Sequence, residues 1–323
     1  MTRTFDHPQY GRTDVPAADL VLSWLNRAGV PAHPATGPSE PAEWLRWYGS
    51  AYLDPRLGAV GLAVGAAADS PHRQRQAQAA VLAWQRTLGT RRVLLPALPG
   101  RDLPAQRAFG GHSPDPASAA RAFLDDGDSV LVLGAPTPAL AALTAPGGQH
   151  VVYAGRTRMP EESVLRELDG DRLSFVMSPQ LVAEEAAQLL HAARRRFPHL
   201  RGQHPDHWPY RNSDLVNSLR LALADADELW VLADAAPRHP LLDAALAHSD
   251  ASVRDLADPT AVEEHWLTPR LRTIALVTAD LCDPADRRRG ELLRLLSGTG
   301  PLGVVTREVS TRITTDVHLP DHT

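Results

Sequence analysis

Short apolar runs recur along most of the chain, at 59–64, 92–95, 129–133, 151–154, 173–177, 229–233, 273–278 and 303–305. They are rich in Val and Leu and mostly continuous, which predicts strands buried on both faces of parallel sheets. Between them, apolar positions return at helical spacing. Val182, Ala186, Leu189, Leu190, Ala193 and Phe197 form one such face, which Pro198 ends. Leu215, Leu219, Ala222, Leu223 and Ala226 form another, with Asn212 or Ser213 placed to cap its start. Strands alternating with helices imply parallel sheets joined by right-handed crossovers. The expected fold class is therefore α/β: two parallel-sheet α/β units with flanking helices.

Ahead of this pattern, residues 1–57 read as an extension punctuated by Pro and Gly. Two short helices are expected there, one near 17–27 and one at Trp44-Leu-Arg-Trp-Tyr. The three aromatics of the second should pack on the main body or on a second subunit. The expected division is 1–57, then 58–200, then 201–323. Ligands of parallel sheets bind at the carboxyl ends of strands, which directs attention to 65–72, 134–137, 155–159, 178–180, 234–240 and 279–284. The Arg194-Arg-Arg and Arg287-Arg-Arg runs read as solvated helix ends near a negative dipole pole.

Composition narrows the chemistry. The chain has 323 residues, 33 basic against 38 acidic, and a net charge of −5; this disfavours a general nucleic-acid binder. All 33 basic residues are arginine. The absence of lysine fits a GC-rich bacterial genome and excludes Schiff-base and P-loop lysine chemistry. Cys282 is the single cysteine, so no intramolecular disulfide and no multi-cysteine metal site can form. With no apolar run of membrane-spanning length and no secretory leader, a soluble cytoplasmic protein without membrane partners is expected.

No Gly-x-Gly-x-x-Gly, P-loop or Gly-x-Ser-x-Gly occurs. His204-Pro-Asp-His207 and the terminal His318-Leu-Pro-Asp-His322 lack a third ligand and read as surface loops. The acidic pairs at 161–162, 184–185 and 263–264 read as solvated helix faces.

From Leu173 onward the order of segments resembles the 4-hydroxy-3-methylbut-2-enyl diphosphate reductase family. Leu173-Ser-Phe-Val-Met-Ser-Pro-Gln-Leu is similar to the strand leading into that family's Gln-Thr-Thr turn. Ala193-Arg-Arg-Arg-Phe-Pro-His-Leu-Arg-Gly202 is similar to the following helix end. His207-Trp-Pro-Tyr-Arg-Asn-Ser-Asp stands where the family reads Asp-x-Cys-x-Ala-Thr-x-x-Arg-Gln. Asp255-Leu-Ala-Asp-Pro-Thr-Ala-Val-Glu-Glu-His-Trp-Leu267 is the nearest segment, and Thr278-Ala-Asp-Leu-Cys-Asp-Pro-Ala stands at the family's Thr-Ala-Gly-Ala-Ser-x-Pro. Before Leu173 the likeness rests on Asp125-Asp-Gly-Asp-Ser-Val-Leu-Val-Leu and the run at Val151, and the family's middle segment is missing between Thr157 and Glu161.

The resemblance implies a three-domain reductase fold in reduced form, and a [4Fe–4S] cluster held by three cysteines. By register those cysteines fall near Pro71, at Arg156 or Thr157, and at Pro209. The family's histidines fall near Pro96 and Pro136. Clusters are held by thiolates, so the resemblance and the single cysteine together imply a chain without the cluster, and no cofactor is expected. The register points to Arg156, Ser178, Gln180, Arg211, Asn212, Asp234, Arg238, His239 and Cys282 as ligand-binding. Arginine binds phosphate or carboxylate through paired N–H groups; solvated loop arginines are the competing reading for each one. Asn212 is also explained by capping, and Cys282 by simple burial.

Three functions follow. The first is a repurposed scaffold binding a small anionic metabolite, such as a prenyl diphosphate, with or without non-redox chemistry. The second is a non-catalytic subunit or regulator, with a protein partner or as a homodimer. The third, and least consistent with the residues, is a retained isoprenoid reductase. Whether any reaction is catalysed stays open at this level.

Overall fold

The structure, a computed structural model, describes residues 1–35, 44–99, 115–144, 151–156, 158–233, 238–278, 281 and 286–312. All eight apolar runs are strands. Contacts divide the chain into two units, Met1–Ala97 with Leu219–Arg307, and Leu98–Ser218 with Glu308–Thr323. This differs from the sequence-based division at 57 and 200. The first 57 residues are built into the first unit, because their strands share a sheet with the run at 59–64.

That sheet has the order β1-β2-β4-β3, with β1 Thr4–His7, β2 Gly11–Asp14, β3 Leu45–Asp54 and β4 Gly58–Ala67. The helix expected at Trp44–Tyr48 is instead the start of strand β3. Its ten residues pair antiparallel with β4 from Leu45↔Ala67 to Asp54↔Gly58, and this continuous long-range ladder outweighs the local helical spacing. For the same reason β4 does not lie in a purely parallel sheet: it runs antiparallel to β3 and parallel to β2. Helices α1 Ala18–Arg27 and α2 Pro71–Thr87 complete the layer. Pro71 occupies the first turn of α2, and Ser70 Oγ accepts the Arg73 N–H at 3.4 Å, as a helix start requires. Val21, Leu62, Val64, Val81 and Trp84 form the core, with Phe5, Tyr48 and Tyr52 packed against it.

The other sheet of this unit has the order β11-β10-β12-β5-β13. Its strands are β5 Arg91–Ala97, β10 Glu228–Leu232, β11 Ser252–Leu256, β12 Thr273–Thr278 and β13 Leu302–Glu308. The pairs β10–β11, β10–β12 and β12–β5 are parallel. Its core includes Val93, Trp230, Leu232, Ile274, Leu276, Leu292 and Leu295.

A buried polar knot ties this unit together. The Arg91 side chain is nearly inaccessible at 2% exposure. Its Nη2 donates to Thr87 O at 2.7 Å and Leu267 O at 3.2 Å; its Nη1 donates to Thr299 O at 3.0 Å. The guanidinium thus satisfies carbonyls from three separate segments, and burial pulls its pKa down to about 10. Gly300, at φ +129°, permits the close approach, since a Cβ there would strike the backbone of Gly89. Trp84 adds a hydrogen bond from Nε1 to Gly298 O at 2.8 Å.

Tyr52 donates to Ser297 O at 3.0 Å, and desolvation, followed by the Asp54 charge, raises its pKa to about 12. An unfolded tyrosine ionises near 10, so between pH 10 and 12 the folded state retains a proton that the unfolded state loses, and stability falls as pH rises. Arg91 titration acts in the opposite direction in that window, and losing the Tyr52 charge, which raises the Arg91 pKa, only strengthens that opposite trend in the variant. We expect Tyr52→Phe to remove the tyrosine contribution, giving less loss of the urea midpoint between pH 10 and 12 than in the parent. Equal losses would contradict this assignment.

The second unit holds the parallel sheet β7-β6-β8-β9, with β6 Ser129–Leu133, β7 Val151–Ala154, β8 Leu173–Met177 and β9 Arg201–Gly202. Both faces are covered, as the continuous apolar runs require. Leu131, Leu133, Phe175 and Met177 pack with Leu189 and Ala193 of helix α4 Ala183–Arg196. Val130, Val132 and Val176 pack with Ala120 and Leu124 of helix α3 Pro116–Asp125. Helix α5, Arg211–Ala224, begins earlier than the apolar spacing suggested. Ser213 therefore lies inside its first turn, and its buried Oγ accepts the Ala183 N–H of α4 at 2.7 Å instead. Residues 309–311 are fastened to α5: Ser218 Oγ accepts the Val309 N–H at 3.0 Å, and Asp214 Oδ1 accepts the Thr311 N–H. Among the described residues no helix is long and apolar enough to cross a membrane.

Candidate functional site

The sequence-derived site residues fall in both units. Arg156, Ser178, Gln180, Arg211 and Asn212 belong to the second, and Arg238 and His239 to the first. Asp234 and Cys282 lie outside the described residues.

In the second unit, Arg156 follows β7 and its Nη2 reaches Glu185 Oε1 at 3.0 Å, so its charge is already matched. Ser178 follows β8 and is fully buried; its Oγ donates to Ala135 O at 2.7 Å and accepts the Gln180 N–H at 3.4 Å. It staples the loops after β6 and β8. Gln180 and Arg211 are exposed, and Asn212 is half-buried. The neighbouring Gln203 is buried, accepting the Met177 N–H at 3.1 Å and donating to His207 O at 2.6 Å.

In the first unit, Arg238 meets Asp255 through both arms of its fork, with Nη2–Oδ2 at 2.5 Å and Nε–Oδ1 at 3.3 Å. That hydrogen-bonded carboxylate raises the guanidinium pKa. His239 Nδ1 accepts the Leu241 N–H at 3.2 Å and caps helix α6 Pro240–Leu246. Arg156 and Arg238 are thus both held by carboxylates, and His239 serves a helix start.

A different arginine set borders open space. A cavity of about 790 Å³ lies at the carboxyl end of β5, lined by Leu95, by Arg3 and Asp19, and by the start of helix α7 Arg287–Ser297. The Arg287-Arg-Arg run therefore stands at the beginning of a helix, not at its end as the sequence suggested. Asp286 Oδ1 accepts the Arg288 N–H at 2.8 Å, and the apolar face of Leu292, Leu295 and Leu296 follows the run. Beyond the Asp286 cap, the first turn carries three arginines and no acidic residue, a surplus of positive charge at the positive dipole pole. By contrast, Arg194, Arg195 and Arg196 do occupy the last turn of α4.

Around the cavity, Asp19 is shared by Arg3 at 3.5 Å and Arg294 at 3.1 Å. Among the described residues, Arg287 and Arg289 make no ion pair, although Asp286 and Glu291 flank them on the same lining. Parallel sheets accept ligands outside their carboxyl edge. A helix start with surplus guanidinium groups at that edge can bind phosphate or carboxylate. No group of three or more His, Cys, Asp or Glu is placed to hold a metal ion, among the described residues.

No protein-family model matches the chain, and no curated protein matches it. A solved structure, the E-1-hydroxy-2-methyl-but-2-enyl-4-diphosphate reductase from Plasmodium falciparum, is similar at 13% identity and a TM-score of 0.44. The likeness covers 69% of this chain and 74% of that one. It is a distant likeness of fold. The positions that the sequence register assigned to cluster ligands offer no thiolate here. Pro71 opens α2, Arg156 is bonded to Glu185, and residue 209 is also proline. A cysteine-ligated iron–sulfur cluster does not fit that donor set.

Proposed function

We propose that the chain is a divergent, cluster-less relative of the 4-hydroxy-3-methylbut-2-enyl diphosphate reductase family that binds a small anionic ligand. A prenyl diphosphate is the class implied by the sequence resemblance. The observation that carries the reading is the arginine-bearing first turn of α7 beside the cavity, with Arg287 and Arg289 free of acidic partners among the described residues. Asp286 caps the helix through the Arg288 N–H, and the remaining first-turn N–H groups together with the Arg287 and Arg289 guanidinium groups attract an anion.

Thermal unfolding with inorganic pyrophosphate and with a short prenyl diphosphate tests it. A ligand binding only the folded state at a hundredfold excess over its Kd adds about 2.7 kcal/mol. The melting temperature should therefore climb with concentration, more for the prenyl compound, and the climb should collapse in the Arg287→Ser/Arg289→Ser double variant. No movement at millimolar ligand, or an equal movement in the variant, would defeat the reading. A second reading, a non-catalytic subunit or regulator, is favoured by the outer edge of β3, which pairs with no strand among the described residues.

A further inference from the structure

Strand β3 forms one end of the β1-β2-β4-β3 sheet, and its outer edge pairs with no other strand among the described residues. It is ten residues long, contains no proline, and pairs with β4 in unbroken register. Edge strands are ordinarily protected by shortness, proline, bulges or several charges. Here the protection is thin. Arg46 and Asp54 are the only charged residues of the strand, and Leu53 is 63% exposed.

We propose that this edge pairs with the same edge of a second copy, antiparallel about a two-fold axis at Ser50. The strand is self-complementary in that register. With Ser50 opposite its own equivalent, Arg46 stands opposite Asp54 of the second copy, Trp47 opposite its Leu53, and Tyr48 opposite its Tyr52. Residues alternate between faces along a strand, so each of these pairs lies on one face. The even positions face α2: Tyr48 donates to Gln74 Oε1 at 3.1 Å, Ser50 Oγ accepts from Gln85 Nε2 at 2.8 Å, and Tyr52 stacks near Trp84. The odd positions present Trp47, which lies over Gly65, and the exposed Leu53.

Charges complete the match. Asp54 Oδ1 accepts the Arg56 and Leu57 N–H groups at 2.8 and 2.9 Å, and its second oxygen has no hydrogen-bond partner among the described residues. Arg46 is exposed and makes no ion pair among them. A two-fold interface uses each such contact twice. Trp47 against Leu53 supplies the aromatic–aliphatic cross-strand pairing that stabilises sheets, and the outward N–H and C=O groups gain partners in a continuous intermolecular sheet.

Light scattering on a sizing column, over a wide range of protein concentration, should give a dimer's mass that dissociates on dilution. Arg46→Glu places a carboxylate against the partner's Asp54 and Leu53→Lys removes the aliphatic partner of its Trp47; together they should raise the dissociation constant about tenfold or more, with an unchanged circular dichroism melt at dilutions where parent and variant are both monomers. Hydrogen exchange on the unaltered chain gives an independent readout: β3 amides should be slower in concentrated than in dilute protein. A monomer at every concentration overturns the proposal. So does a dimer that the double variant leaves intact, or β3 exchange that is indifferent to concentration.

Discussion

Replacing Arg91 by methionine is expected to destabilise the first unit by about 3 kcal/mol, read as a lower urea midpoint for its transition. The carbonyls of Thr87, Leu267 and Thr299 lie at 2.7–3.2 Å from the guanidinium. Methionine fills much of the volume and offers none of them a donor, and a buried acceptor left unsatisfied costs about 1–3 kcal/mol. Relief of the arginine's own desolvation offsets part of that loss. Arg91→Lys should fall between the two, because one ammonium cannot span carbonyls that the planar fork reaches from opposite sides. A methionine variant as stable as the parent would show that those carbonyls find water or other donors at no cost.

Trp84→Ala should be comparably damaging, at about 3–5 kcal/mol. The side chain is fully buried in the core shared by α1, α2 and the β3–β4 ladder, near Tyr52, and hydrogen-bonded to Gly298. Alanine removes a large apolar area and leaves both a cavity and an orphaned carbonyl. Trp84→Phe keeps most of the ring and loses the hydrogen bond, so about 1–2 kcal/mol should remain. Chemical denaturation followed by circular dichroism separates these outcomes. Equal effects of the alanine and phenylalanine substitutions would mean that cavity formation contributes little.

The buried strands were legible because continuous Val and Leu runs have one physical explanation in an α/β chain. β1, β2 and β11 were not: Thr-Phe-Asp-His, Gly-Arg-Thr-Asp and Ser-Val-Arg-Asp-Leu are short, half-polar segments. β3 is ambiguous in sequence because the apolar positions 44, 45, 47 and 48 suit a helix as well as a strand. Only its pairing with β4 decides, and that pairing is non-local. The charge partners were equally hidden. Glu185 lies 29 residues from Arg156, and Asp255 lies 17 from Arg238, so neither ion pair has a sequence signal. The Arg287 run did carry one. Asp286 precedes it and the apolar helical spacing follows it, which marks a helix start.

The path of the backbone through the first unit bears on how the chain acquires its shape during synthesis. β5 lies between β12 and β13 in the five-stranded sheet, yet all four strands of the second unit's sheet are translated after β5 and before either neighbour. Until those late strands emerge, the hydrogen-bonding edges of β5 have no partner strands. The nascent chain must therefore carry an open-edged, sticky segment while the second unit's strands are being made, a circumstance that favours slow maturation and dependence on holding chaperones.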